Sequence, residues 1–190
     1  MDNPIRNPEL VEKESKVRFL QEMGPNLIKI LKDLMQNRKL MKLLYFTDKD
    51  PYSAAHDAQV PARGTPEYDT WIKNNIYKHG ADGLLRILPI ISNMEKDNSI
   101  ITLRVIKGVE AGNSDFLDIF LAIEIFVPND QWIIKDDNLR PYAIMGEVQR
   151  SLEGKKINGL GEINGSGFSV NFFTEEITAF IMQFKITQFK

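Results

Sequence analysis

The stretch Ile177-Thr178-Ala179-Phe180-Ile181-Met182-Gln183-Phe184-Lys185-Ile186-Thr187-Gln188-Phe189 decides the fold class. Phe180, Met182, Phe184 and Ile186 alternate with Ile181, Gln183, Lys185 and Thr187. A period of two puts one apolar face on a strand. Upstream, Ile100–Lys107 and Leu117–Val127 are rich in Ile, Leu, Val and Phe, with the turn residues Gly112-Asn113 between them. That pattern predicts an antiparallel hairpin. Leu84–Ile91 reads as a further strand that Pro89 would confine to an edge, and Trp132-Ile133-Ile134 as a short strand after a turn at Pro128-Asn129.

Between these strands the period changes to 3.6. Pro141 opens a helix with a buried stripe of Ile144, Met145, Val148 and Leu152, closed by Gly154. Earlier still the chain is helical. Asn7-Pro8-Glu9 is a helix start, and Gly24-Pro25 reads as a break. Leu27, Ile28, Leu31, Leu34 and Met35 form the next apolar stripe, which pauses near Asn37 and resumes at Leu40, Met41 and Leu44. Thr47–Gly64 reads as a loop, and Thr65-Pro66-Glu67 starts a helix carrying Tyr68, Trp71, Ile72 and Ile76, with Gly80 as its stop. Helices first, then strands with one helix inserted, predict an α+β fold: a mainly antiparallel sheet with one helix, about 141–153, packed on it. The expected organisation is one domain over 1–190. It has a helical segment at about 8–46, a loop and helix at about 47–80, and a sheet-and-helix core at about 83–189.

Composition narrows the function. The chain has 190 residues, with 24 Lys plus Arg against 26 Asp plus Glu, a formal net charge of -2. That balance gives no overall field for holding a polyanion. Arg38, Lys39 and Lys42 come nearest to a basic patch, and their helical spacing reads as a solvated face. There are no cysteines, which excludes disulfides and thiolate chemistry. Met1 to Glu14 is polar and acidic, unlike a signal peptide, and no apolar run approaches the roughly 18 residues that span a bilayer. A soluble protein with no membrane partner is expected.

Catalytic patterns are missing. His56 and His79 lie in different segments and show no zinc spacing; His79 precedes Gly80 as a helix-end cation would. His56 with Asp48, Asp50 and Asp57 lacks calcium-loop spacing. The tract Gly154–Gly167 imitates a phosphate loop, but Lys155-Lys156 follow a helix and no Ser or Thr comes next. It reads as a glycine-rich connection into a hairpin. Glu175-Glu176 would face opposite ways on a strand, so a turn capped by Thr174 is the reading there. No catalytic, cofactor-binding or metal-binding residue is assigned, and no cofactor is expected.

Phe126-Val127-Pro128-Asn129-Asp130-Gln131-Trp132-Ile133-Ile134, then Leu139-Arg140-Pro141-Tyr142-Ala143-Ile144-Met145-Gly146-Glu147, then Lys155 to Gly161 resemble a pattern of tailed-bacteriophage neck proteins. There a strand ends before a Trp-Ile pair, a Leu-Arg-Pro opens a helix, and a glycine-rich segment leads to the final strands. The resemblance spans roughly Leu84 to Phe189. It implies a head-to-tail connector subunit, of the tail terminator or tail-completion type, and not an enzyme. It further implies a homo-oligomeric ring, a hexamer, in the virion after assembly in the host cytoplasm. The expected partners are other neck and tail proteins, with DNA passing through the channel without sequence-specific contact. The alternatives are an adaptor or binding module of another assembly, or a hydrolase. On the ring reading, Ile100–Lys107 and Ile177–Phe189 are candidate edges for subunit contact, and the Thr47–Gly64 and Lys107–Asp115 loops are expected to reach outside the subunit.

Overall fold

The computed structural model describes residues 23–77, 83–87, 97–110, 116–157 and 161–189. The expected helix start at Asn7, the stop at Gly80, Pro89 and the turn at Gly112-Asn113 lie outside them. Within them the chain is an α+β fold in which helices precede a mainly antiparallel sheet.

The helices are α1 (residues 23–35), α2 (Arg38–Tyr45), α3 (Ala54–Gln59), α4 (Pro66–Asn75) and α5 (Arg140–Leu152). Gly24 and Pro25 are helical rather than a break. Proline's fixed φ suits a helix, and the residue forfeits only its own N–H bond and the room its ring needs. The stripe of α1 is Leu27, Ile30, Leu31, Leu34 and Met35, whereas Ile28 faces solvent. The pause at Asn37 is an N-cap: its side-chain oxygen accepts the Leu40 N–H at 3.1 Å and so satisfies a first-turn donor of α2. Thr65 caps α4 in the same way, accepting the Tyr68 N–H at 3.2 Å, with Pro66 in the first turn.

The strands are β1 (Leu85–Arg86), β2 (Ile100–Glu110), β3 (Phe116–Pro128), β4 (Ile133–Ile134), β5 (Asn138–Leu139), β6 (Lys156–Ile157), β7 (Gly161–Phe172) and β8 (Ile177–Phe189). Six of them form one sheet in the order β1-β2-β3-β8-β7-β6, while β4 and β5 pair separately. β1 sits at the edge, as expected, and runs parallel to β2. The predicted β2–β3 hairpin is present.

Three expectations are corrected. Ile177–Phe189 is no edge: β8 lies between β3 and β7, hydrogen-bonded on both sides. The glycine tract is mostly strand, since β6 and β7 fall within or start from it. β7 escaped the periodicity because nearly every residue in it is exposed. In the expected Lys107–Asp115 loop, Lys107 to Glu110 are strand, because β2 continues to Glu110, and residues 111–115 lie outside the described ones.

Register fixes the two faces of the sheet. Leu103, Ile123 and Met182 form one cross-strand row, and Ile101, Ile125 and Phe180 form another. All six are buried, and α5, whose Ile144, Met145, Val148 and Leu152 are buried, contacts both α2 and the sheet, with Tyr142 against Phe180 at 5.8 Å between ring centroids. Each such side chain is worth roughly 1.5–3 kcal/mol on burial. These residues and the apolar stripes of α1, α2 and α4 belong to one core cluster. The other face carries polar pairs. Arg104 bonds Glu124 at 2.7 Å, Lys185 bonds Asp118 at 2.8 Å, and Lys107 lies over the Phe120 ring at 4.7 Å.

Candidate functional site

Among the described residues a concentration of buried polar chemistry is built on Arg140, the first residue of α5, whose side chain is wholly buried. Its guanidinium donates to four backbone carbonyls: Gln131 at 3.0 Å, Leu43 at 2.8 Å, Phe46 at 2.6 Å, and Asp48. Leu43 and Phe46 lie at the C-terminal end of α2, where carbonyls lack helical partners and carry partial negative charge. Asn98 donates to the two carbonyls between them, Leu44 at 3.3 Å and Tyr45 at 3.2 Å. The end of α2 is thus capped from two distant segments. Burial lowers the Arg140 pKa, with the nearby Asp48 acting in the opposite direction. A guanidinium with four oxygen partners and no open approach is a clamp for backbone, not a general acid or a substrate anchor. Beside it, Gln131 Oε1 and Trp132 Nε1 are buried without a protein partner.

The segment expected to be a loop reaching outward is instead folded onto α2. It contains α3, capped by Ser53, whose hydroxyl accepts the His56 N–H at 3.3 Å. His56 stacks on Phe46 with ring centroids 3.7 Å apart; its Nε2 meets Asp48 at 2.9 Å and its Nδ1 meets the Asp50 carbonyl oxygen at 2.9 Å. Asp57 points elsewhere, to Arg38 at 2.6 Å and to Lys42. The Lys42 ammonium, followed by Arg38, holds the Asp57 carboxyl below the usual carboxylate range. The Asp50 carboxylate is on Lys135 at 3.1 Å. The four residues weighed as a cation site are therefore not brought to one point, and no group of three metal-capable residues occurs among the described residues. His79 lies outside them.

The expected basic face is corrected by the same contacts. Arg38 and Lys42 are spent on Asp57, Lys42 is buried, and only Lys39 of the three is exposed. The spacing was right, but α3 lies where solvent was expected.

An open cavity of about 680 Å³ lies between α1, α2 and α5. Much of its charge is engaged: Lys155 bonds Asp33 at 3.0 Å, Arg150 pairs with Glu147, and Arg63 donates to the neutral Gln36 at 3.3 Å, while Lys39 lines it exposed. Asn37 closes its floor, donating to Glu147 Oε2 at 2.9 Å and to Ser151 Oγ at 2.9 Å. The cavity offers no nucleophile paired with a base. The glycine tract contributes one anchor rather than a phosphate cradle: the Gly165 N–H donates to Glu153 at 2.9 Å. Glu175 and Glu176 sit in the β7–β8 turn, where Thr174 Oγ1 accepts the N–H groups of Glu176 at 3.2 Å and Ile177 at 3.0 Å, as read from sequence.

What sequence reasoning missed is apolar and exposed. Phe168, Val170 and Phe172 project from β7 on the helix-covered side of the sheet, yet are open to solvent, as is Tyr142 of α5. The signal was present in the alternation Phe168-Ser169-Val170-Asn171-Phe172, masked by the glycines before it. Among the described residues no helix is long and apolar enough to cross a membrane. In comparison with known proteins, the model of the YomW family matches residues 37–185. No curated protein matches the chain.

Proposed function

The chain belongs to the YomW family, whose name is of Bacillus phage derivation, and is on that ground phage-related; from this premise we propose that it is a structural subunit of the phage neck. In this reading it forms a closed homo-oligomeric ring, a hexamer, that joins head to tail as a tail terminator or tail-completion protein. It contacts other neck and tail proteins, and DNA passes its channel without sequence-specific contact. The ring is built in the host cytoplasm and ends in the virion. No catalysis is assigned to it.

The observation that carries this reading is a division of labour among side chains. The polar clusters at Arg140, Asp57 and Glu147 are consumed by internal bonds, while the conspicuous exposed groups are the apolar ones along β7. A surface of that kind is suited to binding protein rather than to turning over a small substrate. The neck pattern at Phe126–Glu147 adds support, with its Leu-Arg-Pro becoming the cap and first turn of α5.

Deleting the coding sequence from the phage tests the proposal. The expected outcome is DNA-filled heads and separate tails that fail to join, restored by supplying the chain in trans. Normal yields of joined, infectious particles would overturn it.

A further inference from the structure

The exposed row on β7 continues rows that are buried elsewhere. Register carries Leu103, Ile123 and Met182 on to Phe168, and Ile101, Ile125 and Phe180 on to Val170. Exposure along the first row is 0%, 0% and 5%, then 60% at Phe168; along the second it is 0%, 0% and 0%, then 41% at Val170. Phe172 is 89% exposed. The core face of the sheet therefore runs out onto β7 uncovered. Among the described residues β6 pairs with β7 only at Gly161 and Glu162, Ile163 is held by backbone bonds to Gly154 and Lys155, and the Gly165 N–H is taken by Glu153, which leaves the outer edge from Gly167 to Phe172 without a strand. That edge carries no charged residue and no proline, the devices by which proteins keep open edges from pairing. A bulge between Gly165 and Gly167 guards the start of this edge, and from Phe168 to Phe172 it is left open to pairing.

The opposite edge is different. Among the described residues β1 covers β2 at Ile101 and Thr102 only. Beyond them β2 carries Arg104 and Lys107, a bulge between Val105 and Lys107, and half-exposed Ile106 and Val109. Its cations disfavour pairing of β2 with another β2, since like charges would meet across the strands, but they do not oppose a neutral β7. Strand direction agrees. The four long strands β2, β3, β8 and β7 alternate in direction. With an even number, the β2 of a following copy placed beside β7 lies antiparallel to it, with both helix layers on the same side. Repetition of such a head-to-tail contact closes into a ring where the rotation divides the circle.

We infer that the outer edge of β7 binds the outer edge of β2 in a second copy of this chain, so that the sheet continues from subunit to subunit and the neighbour's helix layer covers Phe168, Val170 and Phe172. The inference rests on the ring reading above and names its contact.

The absence of native cysteines makes the test clean. Ile106→Cys and Ser169→Cys are prepared as separate full-length variants, mixed, and treated with a short bis-maleimide at high protein concentration. Cross-linked dimer is expected from the mixture and from neither variant alone. Adding Phe172→Lys to the Ser169→Cys chain should reduce the yield at least about tenfold with an unchanged melting temperature, because the side chain supports no internal packing. Dimer from Ser169→Cys alone would mean that β7 pairs with itself and would overturn the inference. No dimer in the mixture, with native chain sedimenting as an oligomer, would overturn this contact and leave the ring standing. No dimer with a native chain that stays monomeric would overturn self-association through this edge, and the copy number in virions would then decide the ring independently.

Discussion

Arg140 binds three parts of the chain at one point: the end of α2, the turn after it at Asp48, and the segment before β4 at Gln131. A lysine keeps the charge but cannot present a planar fork to four carbonyls, and each buried acceptor left bare costs about 1–3 kcal/mol. Arg140→Lys should therefore lower stability by at least about 3 kcal/mol, measured as the midpoint of urea unfolding. A shift of under about 1 kcal/mol would mean that the carbonyls find other donors. Two carboxylates make a pH prediction. Asp57, held by Lys42 and then Arg38, and Asp118, held by Lys185 and then Thr187, both titrate below the ordinary 3.8. The unfolded chain takes up these protons first as pH falls, so their contribution is present above about pH 4 and is lost as pH drops through the folded values. Asp57→Asn and Asp118→Asn should each flatten the fall in stability below pH 4, seen as melting temperature against pH. Unchanged acid profiles would contradict the contacts. Little of this was legible in the sequence: the Leu-Arg-Pro helix start was, but the Arg140 partners Leu43, Phe46 and Asp48 lie more than 90 positions away, beyond any local pattern.

Among the elements, strands and helices with one buried side were read well. The alternation of β8 and the stripe of α5 are burial patterns, and burial is what periodicity reports. β7 shows the converse. Exposed along most of its length, it was read for its glycines and not for the alternation at 168–172, yet one of those glycines is decisive. Gly161 has φ of 87°, and a Cβ there would sit 2.2 Å from the Thr187 carbonyl oxygen of β8. Gly161→Ala should destabilise the fold by roughly 1–3 kcal/mol and detach the start of β7, visible as faster amide exchange at Ile163. A neutral outcome would mean that β8 gives way easily. The segment from Thr47 to Gly64 misled for a different reason: its Asp, Ser and Pro residues mark turns, but turns can lie against a core. Val60 is buried, Asp57 ties to α2, and His56 stacks on Phe46. Deleting Tyr52–Val60 should therefore lower the melting temperature sharply, where a loop serving only outside contacts would be dispensable. Retention of native stability in the deletion would restore the earlier view.

At the scale of the whole molecule, the α+β order of helices and strands followed from the sequence, because the change of period from 3.6 to 2 is a property of the chain. The position of β8 did not. A strand with one apolar face can lie anywhere in a sheet, and its place between β3 and β7 depends on pairings that no single segment encodes. The edges available to a neighbour were displaced accordingly, from Ile177–Phe189 to β7. The neck-ring account rests on the polar groups turned inward and the apolar row turned outward, and it makes the chain a fixed component of the particle. Absolute quantification of this chain against the major capsid protein in purified virions, by mass spectrometry with isotope-labelled peptides, measures that directly. The account predicts about six copies per particle, as one hexameric ring contains; virions that lack the chain altogether would contradict it.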